Sequence, residues 1–336
     1  MLLPITDEAL AQATALLRGD QVVAFPTETV YGLGANALSE AAVERIYRLK
    51  GRPRHNPLIV HVPDQRAAMQ LSSVWPAVAT RLAERFWPGP LTLVVPRGSL
   101  IPALVSAGRP TVALRVPAHP AALRLLRACG LPLAAPSANR SEQVSPTTAE
   151  HVRRGLPDVP LILDGGPCRL GIESTVVDVT TSPPRLLRPG ALGLQALREV
   201  LPDLATLPAA RAEDGEALES PGMMARHYAP RARLILLQPS KLGQLGALPA
   251  PWGLLSYGEG PPQSQLGPDG TVLERLPADP EGYAADFYAA LHRLDDAGVA
   301  TIGVVEPPAG DEDGWHAIRD RLRRAAAPPP QGSEPP

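Results

Sequence analysis

Apolar residues in the first fifty positions follow two different spacings, one helical and one strand-like. Leu10, Ala13 and Leu17 lie on one face of an amphipathic helix, which predicts a helix over residues 6–18. The run at residues 21–25, which is apolar from Val22 to Phe25, predicts a buried strand directly after it. Helical and strand-like segments therefore alternate from the start of the chain.

A second helix is predicted to begin after Ser39, a residue type that caps the amino ends of helices. Its apolar face carries Val43, Ile46 and Tyr47, and Lys50 lies on that same face, two turns after Val43. A lysine therefore shares the apolar face at the end of this helix.

The same patterns continue to residue 200. Apolar runs predict strands at residues 58–62, 91–95, 111–116, 131–135, 161–163, 174–179 and 185–188. Helical spacing predicts helices at residues 77–86, 120–129 and 148–154. Because strands and helices are interspersed, the fold class is predicted to be α/β with a mixed sheet.

The periodicity stops between residues 202 and 221, where the chain becomes rich in alanine, proline and acidic residues. A second, smaller α/β pattern follows, with strands at residues 234–237, 253–256, 271–276 and 301–305 and helices at residues 283–296 and 315–326. We predict a first domain over residues 1–200, a linker over 201–230, a second domain over 231–326 and a disordered tail over 327–336.

Composition narrows the possible functions. A length of 336 residues suits two domains at roughly 150 residues each, and the net charge of −2 argues against a globally basic protein that wraps nucleic acid. Cys129 and Cys168 form no close-spaced pair, so neither a disulfide framework nor a thiolate metal site is expected. The amino terminus lacks a basic region followed by an apolar one, so a cytoplasmic protein is expected.

The glycine motif at residues 32–37 fits the pattern of a dinucleotide-binding loop. However, six residues including Pro26 separate it from the predicted strand end at Phe25. About twenty residues further on stands Arg52, where a ribose ligand would be acidic. A tight turn is therefore favoured over a dinucleotide site.

The basic stretch at residues 48–54 has two interpretations. Four cations at the end of a helix can simply complement the helix dipole and stay solvated. Against this, Lys50 lies on the apolar face, and Arg52 stands between Gly51 and Pro53, in a stiff loop that can aim a guanidinium at a polyphosphate.

Several polar residues lie at or near predicted strands. Ser137 and Asn139 follow a strand end and would point the same way if the segment stays extended, although an ordinary Ser/Asn turn is equally compatible. Thr111 and Arg115 share one face of a strand, roughly 13 Å apart, and the buried charge needs a partner. His61 lies within an apolar strand, where a satisfied core histidine is the commoner case.

Taken together, these segments resemble the YrdC-like threonylcarbamoyl-AMP synthases. The resemblance covers about residues 5–200 and is carried by residues 26–33, 50–53, 56–58, 114–117, 137–139, 173–176 and 187–190. Residues 220–223 and 226–230 resemble the longer, two-domain form of that family. The resemblance implies a YrdC-like twisted mixed sheet with flanking helices, followed by a smaller Rossmann-like domain.

The resemblance also implies an activity: L-threonine, bicarbonate (as CO2) and ATP are condensed to threonylcarbamoyl-AMP and pyrophosphate. A separate transferase complex would use the product to modify tRNA, while direct contact with tRNA stays open. Mg²⁺ is expected to enter with ATP rather than at a dedicated metal site. The linker would act as a lid, although Met224 and Ala225 depart from the basic and aromatic residues usual after Ser-Pro-Gly-Met.

The resemblance assigns one set of positions to threonine and its carbamate: Thr29, His61, Arg115, the backbone at Ala135, and Ser174. It assigns a second set to ATP: Lys50, Arg52, Asn56, Thr111, Ser137, Asn139, Ser145, Arg188 and Tyr228. Lys50 and Arg52 would be catalytic because they neutralise the charge of the triphosphate. Two alternatives remain at this point, an RNA-binding module that uses residues 50–54 and an NADP oxidoreductase that uses residues 32–37.

Overall fold

The chain folds into two units in this computed structural model, which describes residues 1–206, 217–238, 251–259, 272–309 and 314–328. The first unit comprises Met1–Ser141 and Ser145–Met224, and the second comprises Glu142–Val144 and Ala225–Pro336. Part of the segment predicted as a linker thus belongs to the first unit.

The first unit interleaves strands with helices. Its strands are β1 (Leu2–Pro4), β2 (Val23–Phe25), β3 (Gly32–Asn36), β4 (Ile59–His61), β5 (Leu91–Pro96), β6 (Thr111–Arg115), β7 (Leu133–Ala134), β8 (Leu161–Asp164), β9 (Thr175–Asp178), β10 (Arg185–Arg188) and β11 (Ala205–Thr206). Its helices are α1 (Asp7–Arg18), α2 (Glu40–Lys50), α3 (Gln65–Gln70), α4 (Ala77–Phe86), α5 (Pro120–Cys129), α6 (Ala149–Gly155) and α7 (Leu194–Val200), with a 3₁₀ turn at Ala103–Ser106.

These strands form one mixed sheet in the order β1-β8-β2-β3-β7-β4-β6-β5-β9-β10-β11. At its centre β4 runs parallel to β6, with His61 opposite Arg115. On the other side of β4, the antiparallel β7 leads into the loop that begins at Ala135. The predicted α/β class with a mixed sheet is confirmed, and the topology brings polar residues from distant segments to neighbouring strand ends.

Two apolar cores cover the faces of this sheet. The run around β2 shows the alternation, because Val22 and Ala24 belong to one core while Val23 and Phe25 belong to the other. The second core is closed by α1 and α5. A run with both faces buried carries no polar alternation, which explains why residues 22–25 are all apolar.

Local sequence signals account for the two amino-terminal helices. The Thr6 hydroxyl accepts a hydrogen bond from the amide of Ala9 at the start of α1. Ser39 caps α2 in the same way, as predicted. Helix α2 ends at Gly51, whose φ of 60° lies in the left-handed region that glycine adopts without strain.

The segment at residues 32–37 was predicted to be a tight turn, and this is wrong, because Gly32–Asn36 is strand β3. Gly34 stands where the ring of Phe25 packs, and a Cβ there would lie 2.6 Å from the ring Cε1 atom. The glycine serves close packing of β3 on β2, so the dinucleotide-binding alternative loses its basis.

The second unit holds a parallel four-stranded sheet in the order β12-β15-β13-β14. Its described elements are β12 (Arg233–Leu237), β13 (Trp252–Tyr257), β14 (Val272–Leu276), α8 (Pro280–Asp296), β15 (Thr301–Val305) and α9 (Trp315–Ala325). The Rossmann-like prediction is confirmed. Among the described residues, no helix combines the length and apolar character needed to cross a bilayer. The tail predicted as disordered lies outside the described residues from position 329 onward.

Candidate active site

Arg115 ends strand β6 as a buried cation that is 3% exposed. Its Nη2 atom donates to the Glu28 carboxylate at 2.6 Å, and its Nη1 atom donates to the Thr29 hydroxyl at 3.0 Å. Its Nε atom donates to the carbonyl oxygen of Gly89 at 3.2 Å. The family resemblance assigned Arg115 to threonine, and within the protein the carboxylate of Glu28 is already one partner of this charge.

The hydroxyl of Thr29 has a fixed direction. Thr27 donates its single hydroxyl proton to the carbonyl oxygen of Val30 at 2.6 Å, so Thr29 must donate to Thr27 across their 2.8 Å contact. Because Thr29 also accepts a proton from Arg115, one lone pair of its oxygen remains for another donor.

His61 lies beside this group on the neighbouring strand β4. Burial, and then the charge of Arg115, lower the pKa of His61 from 6.5 to about 3, so the imidazole is neutral near neutral pH. Phe25 packs edge-on against the ring at a centroid distance of 6.2 Å. Within the described part of the chain, the Nδ1 atom of His61 has no hydrogen-bond partner.

Ser174 is linked to a second arginine. The guanidinium of Arg188 donates to the carbonyl oxygen of Ser174 at 2.8 Å and to its hydroxyl at 3.2 Å. Thr92 on β5 contacts the same hydroxyl at 2.8 Å. Arg188 also donates to the carbonyl oxygen of Pro221, so residues 217–224 are tied to this end of the first unit.

Lys50 is buried at the end of α2, as its position on the apolar face predicted. Its ammonium donates to the carbonyl oxygens of Ser137, at 2.7 Å, and of Asn139. Burial, and then the nearby charge of Arg52, hold the pKa of Lys50 well below its ordinary value of 10.5. Ser137 and Asn139 thus present their backbone to Lys50, while the Asn139 amide donates to the carbonyl oxygen of Arg140.

Arg52 folds back onto its own loop. Its Nη2 atom donates to the side-chain oxygen of Asn56 at 2.6 Å and to the carbonyl oxygen of Pro57 at 2.7 Å. The solvated interpretation of the basic stretch holds for Arg48 and Arg54, which are exposed, but not for the buried Lys50 and Arg52. The RNA-binding alternative needed the cations of residues 50–54 on the surface, and of these Lys50 and Arg52 are buried while Arg54 is exposed.

The surroundings of three further predicted residues, Thr111, Ser145 and Tyr228, are defined by the structure. Thr111 begins β6 and is half-buried, and the hydroxyl of Ser145 donates to the carboxylate of Glu173 at 2.7 Å. Tyr228 belongs to the second unit, where it is buried beneath the guanidinium of Arg321, 5.0 Å from the ring centre. Among the described residues, no three or more His, Cys, Asp or Glu side chains are grouped to hold a metal ion.

Sequence reasoning missed three partners at the site. Glu28, Thr92 and Glu173 each contact an assigned residue that is at least 28 positions away in the chain. Glu28 and Glu173 stand inside the quoted motifs at residues 26–33 and 173–176, so a carboxylate within a motif that carries the family resemblance was the available signal. Thr92 gave no signal that distinguishes it from an ordinary strand residue.

Two family models match the chain. The model of the Sua5, YciO and YrdC proteins, described as "Telomere recombination", matches residues 15–190. The model described as "Threonylcarbamoyl-AMP synthase, C-terminal domain" matches residues 193–327. Together they span nearly all of both units.

Relatives of known name are similar over most of the chain. A threonylcarbamoyl-AMP synthase of Pyrococcus abyssi is 41% identical and covers 94% of this chain and 93% of its own length. One from Bacillus subtilis is 48% identical, covering 71% of this chain and 69% of its own length. The crystal structure of P. abyssi Sua5 complexed with L-threonine matches with a TM-score of 0.88 and 38% identity, covering 97% of each chain.

Proposed function

Since this chain belongs to the two-domain family of threonylcarbamoyl-AMP synthases, we propose that the buried residues around Arg115 bind L-threonine for that reaction. The function is the condensation of L-threonine, bicarbonate and ATP to threonylcarbamoyl-AMP and pyrophosphate, for threonylcarbamoyladenosine in tRNA. The single observation that supports the binding site best is the buried group in which Arg115, Thr29 and the neutral His61 meet across β4 and β6.

The threonine contacts follow from the hydrogen-bonding capacity of these side chains. Arg115 carries five N–H groups, of which its protein contacts use three, so it can still bind a carboxylate. Thr29 offers its remaining lone pair to the N–H of the threonine amine or carbamate. The neutral His61 and the Ser174 hydroxyl complete the pocket, with the backbone at Ala135.

The reaction needs little proton transfer by the protein. The threonine ammonium gives one proton to bicarbonate, which releases CO2 and water. The free amine adds CO2 and loses a second proton to solvent, which gives a carbamate. A carbamate oxygen then attacks the α-phosphorus of ATP while pyrophosphate leaves. Since this nucleophile is already anionic, positioning and charge neutralisation supply most of the rate. We assign the activity to the nucleotidyltransferase class on this basis.

Lys50 and Arg52 are proposed to neutralise the triphosphate. A polyanion beside a buried lysine favours its charged form, so bound ATP would raise the low pKa of Lys50 again. We place Asn56, Thr111, Ser137, Asn139, Ser145, Arg188 and Tyr228 with the nucleotide, as the family resemblance implies. Mg²⁺ is proposed to enter as the ATP complex, and the tRNA transferase complex and a cytoplasmic location remain parts of this proposal.

The direct test is to incubate the purified chain with L-threonine, bicarbonate and ATP. We expect threonylcarbamoyl-AMP by mass spectrometry and pyrophosphate in equal amount, with neither formed when one substrate is omitted. Serine in place of threonine, at the same concentration, serves as the specificity control. Pyrophosphate release that does not depend on threonine would contradict the proposal.

A further inference from the structure

Glu28 is a buried carboxylate with both oxygens engaged. Its side chain is 4% exposed, and its Oε1 atom accepts the 2.6 Å hydrogen bond from Nη2 of Arg115. Its Oε2 atom accepts from the backbone amide of Ala118 at 3.0 Å. The backbone of Glu28 is fixed as well, since its carbonyl oxygen accepts from the amide of Leu170 at 2.8 Å. Residues 115–118 therefore hold the carboxylate of Glu28, and Leu170 holds its backbone.

This arrangement limits where the Arg115 guanidinium can lie. Glu28, Thr29 and Gly89 accept from its Nη2, Nη1 and Nε atoms, one contact for each nitrogen. One N–H on Nη1 and one on Nη2 remain beyond these contacts. Without Glu28 the buried cation would lose its counter-charge and one of the three contacts that orient it, and it would turn toward other acceptors or solvent.

We propose that Glu28 is a positioning residue for threonine recognition, which holds Arg115 so that its two remaining N–H groups face the carboxylate of the amino acid. The inference rests on the proposed function, because it takes the threonine pocket as given and names the residue that sets its geometry. Glu28 itself touches Arg115 and not the substrate.

A purely structural ion pair would have the same distances, so the test needs a matched control. The chain offers one in Asp178 and Arg185, which also pair at 2.7 Å within the first unit. Asp178 is buried to the same degree as Glu28 and also accepts from a backbone amide, that of Thr180. Removing this carboxylate breaks an ion pair of similar length at a place to which no threonine contact is assigned, although Arg185 is 25% exposed and keeps Glu219 as a second partner.

The experiment compares Glu28→Gln with Asp178→Asn in the full-length chain, by calorimetric titration with L-threonine and with L-threoninamide, which lacks the carboxylate. The wild type should bind threonine about tenfold or more tightly than threoninamide, because only threonine makes the charge-assisted contact to Arg115. Glu28→Gln should reduce this ratio to about 1, and Asp178→Asn should leave it unchanged.

Each outcome decides the inference. An unchanged ratio in Glu28→Gln, tighter binding of threonine, or equal weakening of both ligands would overturn it. Glu28→Asp keeps the charge but shortens the side chain, and it should give an intermediate ratio. If neither Glu28 variant folds, the pair is structural and the inference fails. Failure of the proposed function would differ, since the wild type itself would then release no threonine-dependent pyrophosphate.

Discussion

Lys50 joins two roles in one buried ammonium group. It donates to the carbonyl oxygens of Ser137 and Asn139, and it is proposed to neutralise the triphosphate. We expect Lys50→Met to lower the rate of pyrophosphate formation about 100-fold, because one electrostatic contact in a desolvated site is worth roughly 3 kcal/mol. The fold should persist, since the substitution also removes the cost of burying a charge. Steady-state kinetics and circular dichroism measure the two effects.

The matched control is Arg48→Met, which removes a cation from the same last turn of α2 at an exposed position. This variant should keep the wild-type rate. If Lys50→Met also kept it, Lys50 would serve only the backbone of the loop at residues 137–139, and the phosphate assignment would be wrong.

His61 predicts an acid sensitivity of the fold. Its pKa falls from 6.5 in the unfolded chain to about 3 in the folded one, so on acidification the unfolded state takes up a proton first. The free energy of unfolding should therefore decrease by about 2 kcal/mol between about pH 7 and about pH 5 because of this residue alone. Urea unfolding of the wild type and of His61→Asn at both pH values measures the difference, which the variant should lack.

The half-buried His55 provides the control, since His55→Asn should retain the acid sensitivity of the wild type. If the free energy of unfolding depended on pH equally in His61→Asn and in the wild type, the ring of His61 would take up a proton as readily in the folded protein as in the unfolded chain.

At the residue scale, the sequence indicated which polar side chains are buried, such as Lys50 and Arg115, but not which residues they contact. The spacing of α2 was enough to place Lys50 inside the protein, because helix periodicity is a local property. The partner of Arg115 was out of reach. Glu28 lies 87 residues away. Only the order of the sheet, in which β3, β7 and β4 lie between β2 and β6, and the course of the loop after β2 bring the two together.

At the scale of elements, long periodic segments were predicted and short ones were missed. Helices α1 and α2 have clear apolar faces and caps, whereas β1, β11 and α3 are too short to show a period. Strand β3 was mistaken for a turn because glycine usually marks turns. Here Gly34 leaves room for the ring of Phe25 on the neighbouring strand β2, a contact that the local sequence cannot reveal.

That explanation of β3 makes a testable prediction. Gly34→Ala would put a Cβ 2.6 Å from the buried ring of Phe25, so we expect it to lower the free energy of unfolding by about 1–3 kcal/mol through overpacking. Gly155→Ala at the end of α6 is the control, because a Cβ there meets nothing within 4 Å. Chemical denaturation measures both. A neutral Gly34→Ala would mean that the ring of Phe25 shifts freely and that the glycine has another purpose.

At the scale of the whole molecule, the boundary of the first unit lies beyond the predicted residue 200. Leu197, Leu201 and Leu204 are buried in its main core, and β11 pairs with β10. Residues 217–224 also pack onto it, since Glu219 pairs with Arg185 at 2.9 Å. The alanine and proline content suggested a linker because such a composition offers few large apolar side chains that could form a core of their own. Composition does not show whether part of a segment packs on a neighbouring surface, as residues 217–224 do.

The last prediction separates the two units by function. All residues assigned to threonine lie in the first unit, whereas Tyr228, assigned to the nucleotide, lies in the second. A shortened chain that ends at Met224 should fold and bind L-threonine within about threefold of the wild-type affinity, because the proposed threonine site needs no contact from beyond Met224. The same chain should form pyrophosphate about 100-fold more slowly, because the proposed positioning of the nucleotide does need such a contact. A chain that ends at Gly190 provides the contrast. It lacks the three core leucines, each worth about 2–5 kcal/mol, and should not fold. Calorimetry, circular dichroism and the pyrophosphate assay measure the three properties. Full activity in the chain ending at Met224 would show that the second unit, Tyr228 included, is dispensable for the chemistry.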